Sequence, residues 1–294
     1  MSKDSPTAPT RSVEASLRDA PATVQGFPSF APDFANLHPD FPPDLFPGLA
    51  EAESKSFWFQ GRNRIIQWLF DRFLGPAAKD VLEVGCGTGF VLQGLASRFP
   101  SYRLTGAEVY SAGLQFAQER VPQGHFCQLD ATDMPFTGLF DAVGCFDVLE
   151  HIPDDEAALR GISQALKSNG YLLVTVPQHM WLWSAYDEAG GHKRRYSRGE
   201  LLGKVRAAGY EVLYASSFVT LLLPLMFLNR LLQKGDKRSH AEVSRQSLRD
   251  LTPSGPQNLL GTLCMRLDFL LMRLGLSLPF GGSLCLVARK PPLS

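Results

Sequence analysis

The sequence predicts an α/β fold: a parallel sheet with helices on both faces. Three observations carry this. From residue 80 to residue 217, short apolar runs alternate with amphipathic stretches of helical length. Such alternation marks strand–helix units joined in parallel. The first run feeds a glycine turn, Glu83-Val84-Gly85-Cys86-Gly87-Thr88-Gly89, and a helical pattern follows at once. A last strand-like run, GSLCLVARK at 282–290, stands far downstream of the others.

The elements are justified in chain order. Residues 1–50 are rich in Pro, Ala, Ser and Asp and carry Phe27, Phe30, Phe34, Phe41 and Phe46. Proline blocks regular helix and central strand, so this segment is expected to be an irregular arm. In 56–74, Trp58, Ile65, Leu69 and Phe73 fall at helical spacing. DVLEVG, YRLTGAE, GHFCQLD, FDAVGCFD, GYLLVTVP and YEVLYASS read as strands. GFVLQGLASRF, SAGLQFAQER, DDEAALRGISQALK and SRGELLGKVRAAG read as the helices between them. The expected organisation is an arm over 1–50, a core over 51–217, an apolar helical insertion over 218–281, and a closing strand and tail over 282–294.

Composition narrows the function. Among 294 residues, 29 basic and 29 acidic side chains cancel, so no nucleic-acid partner is expected. Cys86, Cys127, Cys145, Cys264 and Cys285 form no Cys-x-x-Cys pair. Neither a disulfide framework nor a zinc site is indicated, and no His/Asp cluster has metal-ligand spacing. The first 30 residues hold no apolar stretch of secretory type, so the expected location is cytoplasmic.

The glycine turn is the first chemical signal. It lets a ligand approach the backbone closely, and the next helix offers unpaired N–H groups. Its spacing is Gly-x-Gly-x-Gly, not the Gly-x-Gly-x-x-Gly of dinucleotide sites. Glu83 stands two residues before the first glycine, where it can meet an ammonium group. The methionine end of S-adenosylmethionine carries one; NAD has none at that point. Glu108 ends the second strand, where an acid can accept both ribose hydroxyls. Asp130 ends the third, where a carboxylate can accept from an adenine amino group. Cys145-Phe146-Asp147 ends the fourth.

Four ordered matches, VLEVGCGTG, GAE, LDATDMPF and FDAVGCFDVLEHI, make the chain resemble the class I S-adenosylmethionine-dependent methyltransferases. FWFQGRNRII (57–66) and GHKRRYS (191–197) resemble more narrowly a UbiG-like, type 11/12 branch often found with envelope glycan or lipid genes. The resemblance implies a Rossmann-like sheet of seven strands, the last antiparallel. It implies that Glu83, Gly85, Cys86, Gly87 and Gly89 hold the methionine moiety. Glu108 and Val109 would hold the ribose and flank the adenine. Asp130 and Ala131 would bind the adenine edge, and Phe146 and Asp147 would close the site. The implied product is S-adenosyl-L-homocysteine. The competing readings are an NAD(P)-dependent oxidoreductase and a non-catalytic S-adenosylmethionine-binding protein.

Methyl transfer from a sulfonium is an in-line displacement, so alignment does much of the work. The acceptor must often lose a proton, and histidine is the usual base. The candidates are His192 and His151, with His179 behind them and Tyr186 and Tyr196 as hydrogen-bond partners. The run Lys193-Arg194-Arg195-Tyr196-Ser197-Arg198 reads either as a solvated charge run or as a receptor for substrate phosphate or carboxylate. The expected acceptor is a small molecule or a lipid- or glycan-linked one.

The insertion has two apolar stretches. FVTLLLPLMFL (218–228) would span about 16 Å as a helix, against about 30 Å of bilayer hydrocarbon. NLLGTLCMRLDFLLMRLGLSLPF (258–280) is interrupted by Arg266, Asp268 and Arg273. Between them lies the polar QKGDKRSHAEVSRQSLRD. Two readings stay open: a cap over the site or a homodimer contact, and a membrane-surface element aided by Arg230, Lys234, Lys237 and Arg238. The second would place the protein at the inner face of the membrane.

Overall fold

The computed structural model describes residues 21–34, 45–232 and 253–292. Within them one sheet runs in the order β1-β2-β5-β4-β3-β6-β7-β9-β8. Strands β3 (Asp80–Val84), β4 (Arg103–Glu108), β5 (His125–Gln128), β6 (Phe140–Phe146) and β7 (Leu166–Pro177) are mutually parallel. β9 (Ser283–Arg289) lies antiparallel between β7 and β8 (Glu211–Phe218). This is the expected seven-stranded arrangement with its last strand reversed.

The core strands are apolar runs because both faces are covered. β3 and β9 are buried almost throughout. One face packs under α2 (Phe57–Phe73), α3 (Phe90–Arg98) and α4 (Ser111–Arg120), with Ile66, Leu92 and Leu114 fully buried. The other packs under α5 (Asp155–Ala165) and α7 (Arg198–Ala207), around Leu159, Ile162 and Leu201. Strand order reverses between β3 and β6, so the carboxyl ends of those strands open a crevice there.

The arm departs from expectation. β1 (Ala22–Val24) and β2 (Phe27–Ser29) form an antiparallel hairpin, and β2 adds to the sheet edge beside β5. Ser29 Oγ donates to Gln128 Oε1 at 2.6 Å, and Gln128 Nε2 donates back to the Ala31 carbonyl at 2.8 Å. The prolines do not prevent this, because β2 is short and joins β5 through a single bridge at Ser29, not at Pro28. A helix, α1 (Leu45–Glu53), follows, and Phe46 stacks on Phe116 of α4. Phe41 lies outside the described residues.

The α2 stripe is also broader than expected. Ile65 and Leu69 are buried, but Trp58 and Phe73 are only partly so, and the buried face extends to Phe59, Arg62, Asn63 and Phe70.

The insertion leaves β8 through a strained corner. Val219 has φ +59°, a left-handed conformation costly for a β-branched residue. Asp268 holds that corner: buried within α9 (Gly255–Arg273), it accepts the Thr220 N–H at 2.7 Å. Burial raises the Asp268 pKa, and the amides of Thr220, Leu221 and Val219 oppose the rise. Helix α8 (Leu223–Leu232) begins only after this corner, with Pro224 in its first turn, where its missing N–H costs nothing. The run at 218–228 is therefore strand end, corner and half a helix. α9 packs along α2 and β8, and Gly261 lets it close on the Phe57 ring. The polar stretch with Lys234, Lys237 and Arg238 lies outside the described residues.

Candidate functional site

The glycine turn stands at the carboxyl end of β3. Gly85 and Cys86 both donate to the Ala107 carbonyl, at 2.8 and 3.0 Å, which pins the turn to β4. Gly87 has φ +51°, and a Cβ there would meet no heavy atom within 4 Å. Its exposed side is an open cradle. Gly89 has φ +77° for another reason: a Cβ would press on the Ala117 backbone at 2.8 Å. Gly89 thus lets α3 approach α4 closely. Cys86 is buried, and burial pushes its thiol pKa well up, so it is inert filler.

The turn is braced from behind. Thr88 Oγ1 donates to Glu53 Oε2 at 2.6 Å, and Arg120 Nη1 reaches both, at 2.7 Å from Thr88 Oγ1 and 2.5 Å from Glu53. Glu108 clasps the front: its carboxylate accepts the amides of Gly87 (2.9 Å), Val109 (2.8 Å) and Tyr110 (3.2 Å). Burial raises the Glu108 pKa and those three amides oppose the rise. Val109 is half-buried beside it, its carbonyl accepting from Gln128 Nε2 at 3.0 Å. Asp130 Oδ1 accepts the Thr132 amide at 2.8 Å, which turns the chain after β5 and leaves Ala131 buried.

Glu83 lies beneath the turn. Burial lifts its pKa well up, Arg62 opposes, and Oε2 has no hydrogen-bond partner. An orphaned buried carboxylate oxygen beside an open glycine cradle fits a ligand bearing an ammonium group. The donor set therefore suits S-adenosylmethionine.

Phe146 departs from its expected role. Its ring is buried in the core and folds over Gly144, where a Cβ would lie 2.4 Å from it. Only Asp147 of that pair reaches the crevice. Asp147 has φ +56°, pairs with Arg62 and accepts from Thr175 Oγ1 at 3.0 Å. Arg62 is the residue the sequence reading left without a role. Its side chain is 9% exposed, on the buried face of α2, and its guanidinium lies over Trp58. The visible signal was its place in FWFQGRNRII, the one charge on a largely apolar buried helix face.

A cavity of about 890 Å³ opens beyond Asp147. Its polar wall holds Glu150, His151, Tyr186, His192 and Arg195; its apolar wall holds Trp58, Val219, Leu222, Leu225, Met226 and Leu260. Both insertion helices thus contribute lining residues. His151 ends a 3₁₀ turn after β6, and the His192 ring meets it edge-on at 4.7 Å. His192 Nδ1 lies 3.0 Å from Asp187 Oδ1, in α6 (Ala185–Ala189). Burial alone would raise the Asp187 pKa; His192 and Arg195 outweigh it and hold it at about 2. An ionised carboxylate only accepts, so Nδ1 carries the proton and Nε2 keeps its lone pair in the neutral ring. Burial, then His192 and Lys193, lower the His151 pKa to about 3. His151 is neutral at ordinary pH and a poor base.

Glu150 is buried, and apart from its own amide neither carboxyl oxygen has a partner. Burial, then Asp147, raise its pKa well up. Ligand atoms of Glu150, His151 and His192 lie within 4.8 Å of one another, close enough to share a divalent cation. Sequence spacing showed no such set, because His192 joins the other two only through the fold.

The basic run takes up a bracing role. Arg194 pairs with Asp155 at 3.0 Å, Arg195 with Asp187 at 2.7 Å, and Arg198 donates to the Ala215 carbonyl at 2.9 Å. Of these three only Arg195 lines the cavity. Tyr196 is fully buried, donating to Asp155 Oδ2 at 2.6 Å. His179 stacks on Trp181 at 5.1 Å and is absent from the cavity lining.

A family model described as a methyltransferase domain matches residues 57–215. A ubiquinone biosynthesis O-methyltransferase of Chromobacterium violaceum is 36% identical over 113 residues, covering 36% of this chain and 47% of that protein. A trans-aconitate 2-methyltransferase of Variovorax paradoxus is 34% identical over 119 residues, covering 40% and 46%. The chain thus spans about half the length of the curated relatives it matches. Phosphoethanolamine N-methyltransferase 2 of Haemonchus contortus, solved with S-adenosyl-L-methionine, shares the fold at TM-score 0.57 and 18% identity, over 88% of this chain and 59% of that one.

Proposed function

The chain belongs to the class I S-adenosylmethionine-dependent methyltransferases, and from that premise we propose that it methylates an oxygen or nitrogen of an acceptor bound in the cavity beneath α8 and α9. S-adenosylmethionine supplies the methyl as an electrophile on its sulfonium. When it is bound, Glu83 would meet its ammonium, the Gly85–Gly89 turn would receive its methionine backbone, and Glu108 and Asp130 would take its ribose and adenine edge. Glu108 can do so with lone pairs its three amide bonds leave over.

The observation that carries the reading is the Asp187–His192 pair, whose His192 lines a cavity that reaches Asp147. Asp187 fixes the ring so that Nε2 can take the acceptor's proton. His192 and Arg195 together hold Asp187 ionised. His151, neutral, packs against His192 and orients it. Helices α8 and α9 of the insertion act as the cap: with the corner before α8 they supply most of the apolar wall and exclude water from the acceptor. An acceptor with one ionisable head and an apolar body matches the two walls, which favours a lipid-linked one.

The test is transfer of labelled methyl from S-adenosylmethionine to phenol, carboxylate and amine acceptors, each with and without an alkyl tail. The expected outcome is turnover that rises with tail length and falls at least a hundredfold in His192→Gln. Equal turnover by both proteins would remove His192 from the chemistry.

A further inference from the structure

Helix α9 has two faces with opposite fates. Gly261, Met265, Asp268 and Met272 are buried against the protein. On the opposite side, Leu259, Leu260, Leu263, Leu267, Leu270 and Leu274 fall within an arc of about 100°. All six are exposed, Leu274 to 71%. A surface helix ordinarily turns polar residues outward; this one turns leucine outward. Helix α8 does the same with Leu225, Phe227, Leu228 and Leu231. Trp181 meets Phe227 edge-on at 5.6 Å and is itself half exposed. A tryptophan in that setting suits a boundary between apolar and wet phases.

The leucine surface runs into the cavity. Leu225, Leu228 and Leu260 are exposed and also line its wall. The mouth therefore opens among apolar side chains.

Charge selects the occupant. Arg266 and Arg273 are exposed along one edge of the α9 leucine arc. Asp268, the one acid in either helix, is buried. A second copy of this chain would bring like cations to the same seam. An anionic lipid surface brings the opposite charge. No helix among the described residues is long and apolar enough to cross a membrane, so contact is in the plane of the surface.

We propose that the outer face of α8 and α9 docks on an anionic lipid bilayer, its leucines at the boundary of headgroups and acyl chains. An apolar-tailed acceptor then enters the cavity without crossing water. The inference rests on reading that cavity as the acceptor site.

The test is sedimentation of the full chain, saturated with S-adenosylhomocysteine, with vesicles of phosphatidylcholine alone or mixed with phosphatidylglycerol. The expected result is binding to the mixed vesicles, weakened by salt. The triple variant Leu263→Glu, Leu267→Glu, Leu270→Glu alters none of the cavity lining. It should bind vesicles about a hundredfold more weakly or worse, with S-adenosylhomocysteine affinity unchanged by calorimetry. Wild-type protein that stays in solution with both vesicles at low salt would overturn the proposal. So would equal sedimentation of the variant, or a stable dimer that the variant dissolves. Loss of S-adenosylhomocysteine binding by the wild type would instead strike the methyltransferase reading, so the two failures are distinct.

Discussion

Replacing Arg62 with methionine should cost about 3–5 kcal/mol of stability near pH 7, the range for removing one partner of a buried pair. The figure follows from what Arg62 faces. It pairs with Asp147, and its charge also opposes the raised pKa of Glu83 and of Glu150. Methionine keeps much of the volume and removes the cation that Asp147 pairs with and that Glu83 and Glu150 also face, although Arg195 still acts on Glu150. The deficit must depend on pH. Glu83 and Glu150 have folded pKa values above their ordinary 4.5, so the folded state binds more protons than the unfolded one. Stability therefore falls as pH rises from about 4.5 toward those raised values. Removing Arg62 raises them further and carries the fall to higher pH. Urea denaturation of both proteins across a pH series from about 5 upward reads this directly. The expected gap widens as pH rises. A gap below about 1 kcal/mol, or one that nowhere widens, would refute the argument that Arg62 neutralises this cluster.

Further outcomes follow from the same geometry. Gly87→Val places a β-branched residue at φ +51° and fills the open cradle, so S-adenosylhomocysteine affinity should drop by about a hundredfold or more; calorimetry measures it. Glu108→Ala strands the Gly87 amide and two others, and should lower stability by about 1–3 kcal/mol together with cofactor affinity, read by thermal melts with and without ligand. Asp187→Asn should lower kcat by about a hundredfold or more while cofactor affinity holds, because the His192 tautomer is no longer fixed. His151 has a folded pKa of about 3 against an ordinary 6.5. Its stability contribution is present above 6.5 and fades as pH falls toward 3, so His151→Asn should flatten the stability profile in that window; denaturation midpoints across pH 3–7 check this.

The sheet was legible because its strands are apolar runs separated by helices of regular length. The closing strand 282–290 was legible for the same reason, although an insertion precedes it. The glycine turn announced itself through spacing that only a tight backbone needs. The rest depends on long-range contact. Nothing near Glu150 in sequence shows that His192 will lie beside it. Arg62 looked like one charge on an amphipathic helix until β6 placed Asp147 opposite. The basic run after β7 read as a solvated charge run or a receptor, and not as a brace, because its partners Asp155 and Asp187 are not visible as partners in one dimension. The hairpin in the arm was missed because its pairing partner, β5, is remote, and proline argued locally against it. At 218–228 the hydropathy was read correctly but the corner at Val219 was not, since a left-handed valine has no sequence signature.

The central claim is that His192 removes a proton from an acceptor in the capped cavity while the glycine turn holds the methyl donor. The most direct measurement compares labelled-methyl transfer with S-adenosylhomocysteine binding in wild type, His192→Gln and Gly87→Val. The account predicts that His192→Gln binds S-adenosylhomocysteine as the wild type does yet transfers methyl at least a hundredfold more slowly, and that Gly87→Val loses both. Full transfer by His192→Gln, or full binding by Gly87→Val, would contradict it.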